Sequence, residues 1–595
     1  MLSTRDMYCR ALACDFDGTG ATGGRLAPEV AEALAAARAS GYAILLVTGR
    51  VLSDLDEAGV PLRSFDAVVA ENGALVFFPE RRRTVRLGGP PAEHFLGALR
   101  DAGIAFQAGA VVVGVSARQA SDTLRVIQQL GLDAQIAFNR GAAMVLPSDV
   151  NKAAGVRRAL VELGRSPRNL IAFGDAENDL SLFGVAECAV AARNAVPAAA
   201  AAADEVLAHP GAEGVARFVA RVVTAGGVIA TPPRRGLRLG VDARGAAASL
   251  PSSGGQVLVS GDPRSGKSWL AGLVVERLLD EDYRLCVVDP EGDHLALGPR
   301  PGVLLLGNDL PLPAADAVPR ILRDEPVSLV LNLASLSLAQ KTRWVDTLLC
   351  GIEGLRARSG IPHWTVIDEA HYFFHAASPC ATRFTARTGG YVFVTYRPSL
   401  VADVVHDAVT AHLVTHTTVD EERYFIESLL RARGPRDVDA AAELAAVVPP
   451  RAGLLVEDAG AARWQVFTPG ARVTSHAHHA RKYVDTGVPP ERGFRFLEAG
   501  ASAPVARSVG EFHSLVGVVP TASLAHHLAN GDFSRWANDV LGDRALAAGF
   551  AKLERTTRTL GMGSVRAELL RAIESGYLLR NGAAATSPGS TAGAS

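Results

Sequence analysis

The chain repeatedly places a short apolar run directly before a small or acidic polar residue. ALAC precedes Asp15, AILLV precedes Thr48, LIAF precedes Gly174, QVLVS precedes Gly261, RLCVV precedes Asp289, WTVI precedes Asp368 and YVFV precedes Thr395. Runs this short and this uniformly apolar predict strands buried on both faces. Ala-rich helical stretches separate them, so the sheets are expected to be parallel and doubly wound. The fold class that follows is α/β multidomain, and ligands are expected at the carboxyl ends of the strands, where the polar residues stand.

At 595 residues the chain is long enough for three to five domains of about 100–200 residues each. Sixty Lys and Arg against 62 Asp and Glu leave a net charge of −2, which argues against a generally basic nucleic-acid binder. A hydrophobic content of 48% argues against a wholly disordered chain. Cys9, Cys14, Cys188, Cys286, Cys350 and Cys380 form no Cys-x-x-Cys pair, so neither a zinc site nor a disulfide framework is expected. No apolar stretch reaches membrane-spanning length and MLSTRDMYCR lacks a signal-peptide core, so a cytoplasmic protein with no membrane partner is expected.

Composition divides the chain. Residues 1–228 alternate strand-like and helix-like segments, and 229–256, rich in Pro, Gly, Ser and Arg, reads as a connector. A second alternation fills 257–470. A small, mostly helical domain is expected over 475–580, and 581–595, nearly free of bulky apolar side chains, reads as a disordered tail.

The first chemistry lies at Asp15-Phe16-Asp17-Gly18-Thr19, where two carboxylates leave a strand end together and call for a compensating cation. Thr48 ends a second strand. Gly174-Asp175-Ala176-Glu177-Asn178-Asp179 ends a third, and Lys152 precedes a helical stretch. An oxygen-rich, His-free set suits Mg²⁺ and phosphate oxygens rather than zinc. One aspartate can attack phosphorus while a second handles protons. Any one of these motifs could merely cap a turn; several in chain order, each at a strand end or helix start, favour catalysis.

These residues closely resemble the motifs of the haloacid-dehalogenase phosphatases, the Cof-like type IIB subgroup in particular, over about the first 220 residues. Ala70-Glu71-Asn72-Gly73-Ala74 and VAARNAVPAAAAAADEV (190–206) extend the resemblance. It implies a Rossmann-like core with an α/β cap over about 75–150. It also implies Asp15 as nucleophile, Asp17 as general acid/base, and Thr48 and Lys152 as phosphate ligands. The metal would lie among Asp15, the Asp17 carbonyl, Asp175 and Asp179. Gly20-Ala21-Thr22-Gly23-Gly24 departs from the usual family pattern.

The second chemistry is Gly261-Asp262-Pro263-Arg264-Ser265-Gly266-Lys267-Ser268, a GxxxxGK[ST] loop between a strand and the helical WLAGLVVERLL. Gly261 and Gly266 free backbone N–H groups to wrap phosphate, Lys267 reaches β/γ oxygens and Ser268 can ligate Mg²⁺. Further on, Asp368 and Glu369 end a strand, where Asp368 would hold the metal through water and Glu369 would polarise the attacking water. With RLCVVDPEGDH (284–294) and FVTYRPS (393–399), residues 236–470 resemble the HerA/FtsK-like branch of P-loop ATPases, with Tyr396 where the family has Gln. That resemblance implies ATP as ligand, a homo-oligomer through this domain, and a motor acting on nucleic acid or protein; the charge distribution supplies no support for nucleic acid. Arg397 would contact nucleotide or a neighbouring subunit, or form a surface salt bridge.

In the last region, His476, His478 and His479 lack Cys or acid partners at ligand spacing and read as surface histidines. Residues 510–547 resemble an uncharacterised bacterial domain, and Phe533 and Trp536, three apart, read as a packed helix face. The expectation is a Mg²⁺-dependent phosphatase of a small phosphorylated metabolite, fused to an ATP-binding P-loop domain. The alternatives are an oligomeric ATPase motor with the first domain accessory, and a regulatory assembly with little turnover.

Overall fold

Leu12, Leu45, Leu46 and Phe173 are fully buried, each contributing about 1.5–3 kcal/mol of transfer free energy. That burial holds strands whose last residues are costly to desolvate. In the computed structural model of the chain, the described residues are 5–577, apart from 140, 233, 264, 385–389, 434–447, 450, 458–462, 475–487, 489–491, 498–502, 542–543 and 557–561. The chain divides into two units, Met1–Pro290 with His294–Ser475, and His476–Ser595 with Glu291–Asp293.

The first unit holds two large sheets. The N-terminal one runs Glu205–Val206, Cys188–Ala191, Leu170–Gly174, Ala11–Asp15, Ala43–Val47, Ala67–Ala70, Leu75–Phe78, Arg83–Arg86. Its first six strands are parallel and the last two close it as antiparallel neighbours. Residues 75–86, within the stretch expected as cap, extend the large sheet, in which Leu75, Val76 and Phe78 are buried. The smaller, antiparallel sheet comprises Phe106–Ala108, Val113–Ser116, Ala134–Asn139 and Ala142–Pro147, and the helices Glu93–Asp101 and Ala120–Leu130 pack their apolar faces on it. Glu71 ties the smaller sheet to the large one, its carboxylate accepting the N–H groups of Ala110, Val111 and Val112 at 2.8, 2.8 and 3.0 Å.

Among the described residues the second large sheet has eleven strands. Seven run parallel, in the order Ala411–Val414, Gln256–Ser260, Tyr391–Thr395, Trp364–Ile367, Leu285–Asp289, Ser328–Asn332, Val303–Leu306. Antiparallel strands complete it, among them Gly236–Val241 and Ala247–Pro251. Those two strands, with Val228–Thr231 paired to Arg5–Tyr8, occupy most of the segment read as a connector. Their Arg, Gly and Ser content reflects strands that alternate buried and more exposed residues.

Polar contacts join the two sheets within this unit. Tyr283 Oη donates to Glu187 Oε1 at 2.7 Å, Arg235 donates to the same carboxylate at 3.1 Å, and Arg168 Nε donates to the Glu281 carbonyl at 2.8 Å. Glu187 is buried, so the tyrosine and arginine hydrogen bonds are what make its burial tolerable.

The second unit contains the helices Val509–Val518, Thr521–Asn530, Asp532–Arg535, Arg544–Thr556 and Met562–Tyr577 around a cluster of aromatic rings. Phe512 and Trp536 stack with centroids 4.9 Å apart, and Phe533 is fully buried. The paired aromatic residues therefore serve packing. His476, His478, His479 and the 581–595 tail lie outside the described residues. Among the described residues no helix is long and apolar enough to cross a membrane.

Candidate active site

Strand direction assembles the first site. Asp15 and Gly174 are last residues of neighbouring parallel strands, and Thr48 directly follows the strand on the other side, so their polar groups converge at one sheet edge. Gly18 lets the chain turn there: at φ +81° it approaches so closely that a β-carbon would sit 2.4 Å from Asp175 Oδ2. Asp179 Oδ2 accepts the N–H groups of Asp175 and Ala176 at 2.9 and 3.0 Å, while Thr19 donates to Asp175 Oδ1 at 3.1 Å.

Lys152 begins the helix Lys152–Glu162, where the helix dipole opposes a positive charge. Acids compensate it. Its Nζ lies 2.6 Å from Asp15 Oδ1 and 2.6 Å from Asp179 Oδ1, and all three groups are buried. Burial pulls the Lys152 ammonium down, but the two carboxylates outweigh it and hold the group above its ordinary value. Burial, reinforced by Asp179 and partly offset by Lys152, pushes the Asp15 carboxyl up to about 7. The site thus carries more negative charge than its lysine neutralises.

Asp15, Asp175 and Asp179 each present a carboxylate oxygen, and these atoms lie within 4.8 Å of one another. A divalent cation fits: the donors are hard oxygens, all three residues are buried, and the raised Asp15 carboxyl marks uncompensated charge. The Asp17 side chain stands outside this trio. It is gripped by Arg50, whose Nε and NH2 donate at 2.9 and 2.5 Å, and the Arg50 guanidinium also lies 4.9 Å from the Phe16 ring centre. Thr48 is buried, and its Oγ1 accepts the Arg50 N–H at 3.1 Å. Sequence reasoning assigned no role to Arg50; its place two residues after Thr48 was the available signal. Asn139 and Met144 of the smaller sheet lie above Gly49, within 3.7 and 3.1 Å of where a β-carbon would stand, so that sheet covers the site.

A second polar centre lies at the carboxyl ends of the eleven-stranded sheet. Gly261 and Gly266, both at positive φ, bracket the loop after Gln256–Ser260, and Lys267 and Ser268 open the helix Lys267–Asp280. Lys267 Nζ lies 3.8 Å from Glu369 Oε1, and both residues are buried. The Glu369 N–H donates to Asp368 Oδ1 at 3.0 Å, and His294 Nε2 lies 3.6 Å from Asp368 Oδ2. Ser265 and Thr415 hydroxyls meet at 2.5 Å. The structure therefore brings Lys267, Asp368 and Glu369 together at the foot of the Gly-rich loop. The Tyr396 ring lies 4.7 Å from that of His371, and the Arg397 N–H donates to Thr395 Oγ1 at 2.9 Å.

An α/β domain with a lysine bridging two buried aspartates, and a third aspartate beside them, defines a class of buried site with hard oxygen ligands. The family model for haloacid dehalogenase-like hydrolases matches residues 138–219, which contain Lys152, Asp175 and Asp179. Phosphoglycolate phosphatase 2 of Saccharolobus solfataricus is 29% identical over 187 residues, 31% of this chain and 78% of that protein. Solved haloacid dehalogenase-like hydrolases from Bacteroides thetaiotaomicron and from B. subtilis are each 17% identical over 36% of this chain and 99% of their own, with TM-scores of 0.32. The N-terminal part of the chain is a haloacid dehalogenase superfamily hydrolase domain.

Proposed function

We propose that this domain is a Mg²⁺-dependent phosphatase of the Cof-like type IIB kind, hydrolysing a small phosphorylated metabolite through an aspartyl phosphate. The observation that carries the reading is Lys152 placed 2.6 Å from both Asp15 and Asp179. The similarity to a protein named for phosphoglycolate phosphatase activity supports it.

In this reading an Asp15 oxygen attacks phosphorus, and the leaving alkoxide takes a proton from Asp17. Water then gives a proton back to Asp17 as its oxygen attacks the same phosphorus, breaking the acyl phosphate and freeing inorganic phosphate. Lys152 keeps Asp15 aimed and presents positive charge toward the phosphoryl oxygens. Thr48 Oγ1 accepts from Arg50, which leaves its own proton to donate to the phosphoryl group. Asp15, Asp175, Asp179 and the Asp17 carbonyl would hold Mg²⁺, which supplies neutralisation of phosphoryl charge when bound. The smaller sheet over Gly49 favours a compact substrate over a polymer. Phosphate release from a panel of sugar phosphates and phosphoglycolate tests this: the full chain should turn over at least one, and Asp15→Asn none. Equal release by the variant would overturn it.

For the second centre the proposal is ATP binding and hydrolysis, supported by Lys267 opening a helix after a Gly-rich loop and lying 3.8 Å from Glu369. Gly261, Gly266 and Lys267 would cradle the phosphates, Ser268 and Asp368 would hold Mg²⁺, and Glu369 would orient water. Assembly into a homo-oligomeric motor is the alternative reading of the whole chain. ATP turnover lost in Lys267→Ala, measured with and without DNA, separates the two: stimulation by DNA favours the motor.

A further inference from the structure

The turn Glu71–Gly73 carries three residues in a row at positive φ, +51°, +54° and +101°. Residues other than glycine seldom adopt that region, and two together persist only where their surroundings over-determine them. Those surroundings are the candidate active site. The Glu71 N–H donates to the Arg50 carbonyl at 2.9 Å, and the Asn72 N–H donates to the Thr48 carbonyl at 3.0 Å. Asn178 Nδ2, one residue before Asp179, donates to Asn72 Oδ1 at 3.1 Å. Gly73 presses on the start of the helix that carries Lys152: a β-carbon there would stand 1.9 Å from the Asn151 carbonyl oxygen and 2.9 Å from the Lys152 nitrogen. One short turn thus touches the segments that bear Thr48, Lys152 and Asp179.

The side chain of the same turn reaches the smaller sheet. Residues 109–112 join two of that sheet's strands, Phe106–Ala108 and Val113–Ser116. Glu71 Oε1 accepts the Ala110 N–H, and Oε2 accepts those of Val111 and Val112. Glu71 is buried, so these bonds are what make its charge tolerable. Both oxygens are needed, because a glutamine would keep one acceptor and set an NH₂ group against the remaining amides. The loop is fitted to the carboxylate from its own side as well. Gly109 lies so close that a β-carbon would stand 2.7 Å from Glu71 Oε2, and its φ is outside the left-handed region, so contact rather than conformation calls for glycine there.

We propose that Glu71 is a positioning residue that couples the seat of the smaller sheet to the alignment of Lys152. With the 109–112 loop on the carboxylate, the turn keeps the helix start where Lys152 Nζ reaches Asp15 and Asp179 at 2.6 Å. With the loop lifted, the turn loses the bonds that hold Glu71 in its left-handed conformation, and the helix start resting on Gly73 loses its support. The same sheet carries Asn139 and Met144 over Gly49, so the lysine is aligned only while the cover is in place. That this coupling serves phosphoryl transfer rests on the phosphatase reading above; that it exists does not.

Amide hydrogen exchange of the full chain, followed peptide by peptide, tests the coupling without any turnover. Glu71→Gln removes an acceptor from the turn, and Gly109→Ala pushes on the carboxylate from the loop. Each should speed exchange at least about tenfold within 106–116 and also at the start of the Lys152 helix. There the Ala154 N–H is held by Asn151 Oδ1 at 3.0 Å and the Gly155 N–H by the Asn151 carbonyl at 3.2 Å. Faster exchange confined to 106–116, or no change in either place, would overturn the proposal; if Glu71→Gln fails to fold, Gly109→Ala decides. Phosphate release then tests the purpose. Both variants should lower kcat at least about tenfold on the best substrate of the panel and on acetyl phosphate, whose leaving group is too small to need the cover, with KM little changed. A rise in KM alone, or a loss absent from acetyl phosphate, would reduce Glu71 to an anchor for the cover and defeat the positioning role. No release by the unaltered chain would sink the phosphatase reading instead, and the exchange rates would still decide the coupling.

Discussion

Lys152 and Lys267 occupy the same local position, the first residue of a helix after a strand-end loop, and both are buried, yet their surroundings differ. Lys152 makes two 2.6 Å hydrogen bonds to carboxylates. Lys267 stands 3.8 Å from one. Around Lys152 two acids lie directly on the base, which suits the cation proposed there. Lys267 also has Asp368 and Glu369 near it, but the Gly-rich loop and helix start add N–H groups, which suits the anion proposed for that centre. A buried lysine at a helix start is thus not a function by itself; the groups packed around it decide which ligand the site suits.

The largest effect that would break this contrast is catalytic. Asp15→Asn should lower phosphate release from the preferred substrate by at least about 10⁴-fold, as loss of a nucleophile does, and leave ATP turnover untouched. A coupled phosphate assay on both substrates checks it. Next, Lys152→Met should cost about 3–5 kcal/mol in denaturant unfolding, because Asp15 and Asp179 lose a buried partner. A loss below about 1 kcal/mol would deny Lys152 its part in holding the two carboxylates. Third, Mg²⁺ uptake must compete with the proton on Asp15, whose carboxyl is held at about 7. Affinity should therefore rise with pH by up to about tenfold per unit below pH 7 and level off above it, with proton release on binding seen by calorimetry in two buffers. The smallest effect belongs to Arg50→Ala. The Arg50–Asp17 pair is part-exposed, so stability should change by no more than about 1 kcal/mol, while the alkaline or acid limb of the phosphatase pH profile moves. A rate unchanged at every pH would deny Arg50 any hold on Asp17.

Much of the first site was legible because parallel strands deliver their last residues to one edge. Asp15, Thr48, Asp175 and Asp179 follow from where the apolar runs end and Lys152 from the start of a helical stretch, while their roles come from the motif resemblance. Partners contributed by side-chain reach were not legible: nothing in the spacing shows that Arg50 grips Asp17, or that Glu71 collects three N–H groups from residues about forty positions away. Gly236–Val241 alternates buried and exposed residues, and its exposed Arg238 gives the segment the polar look of a connector. The hairpin at 75–86 was assigned to the cap because periodicity reveals a strand without revealing which sheet it joins.

Tyr283 and Glu187, whose hydrogen bond joins the two large sheets, each stand just before a strand, whereas Asp15 and Gly261 stand where strands end. The length of a strand therefore separates that join from either proposed centre, and any influence of one on the other that crosses it has to travel along the strands themselves.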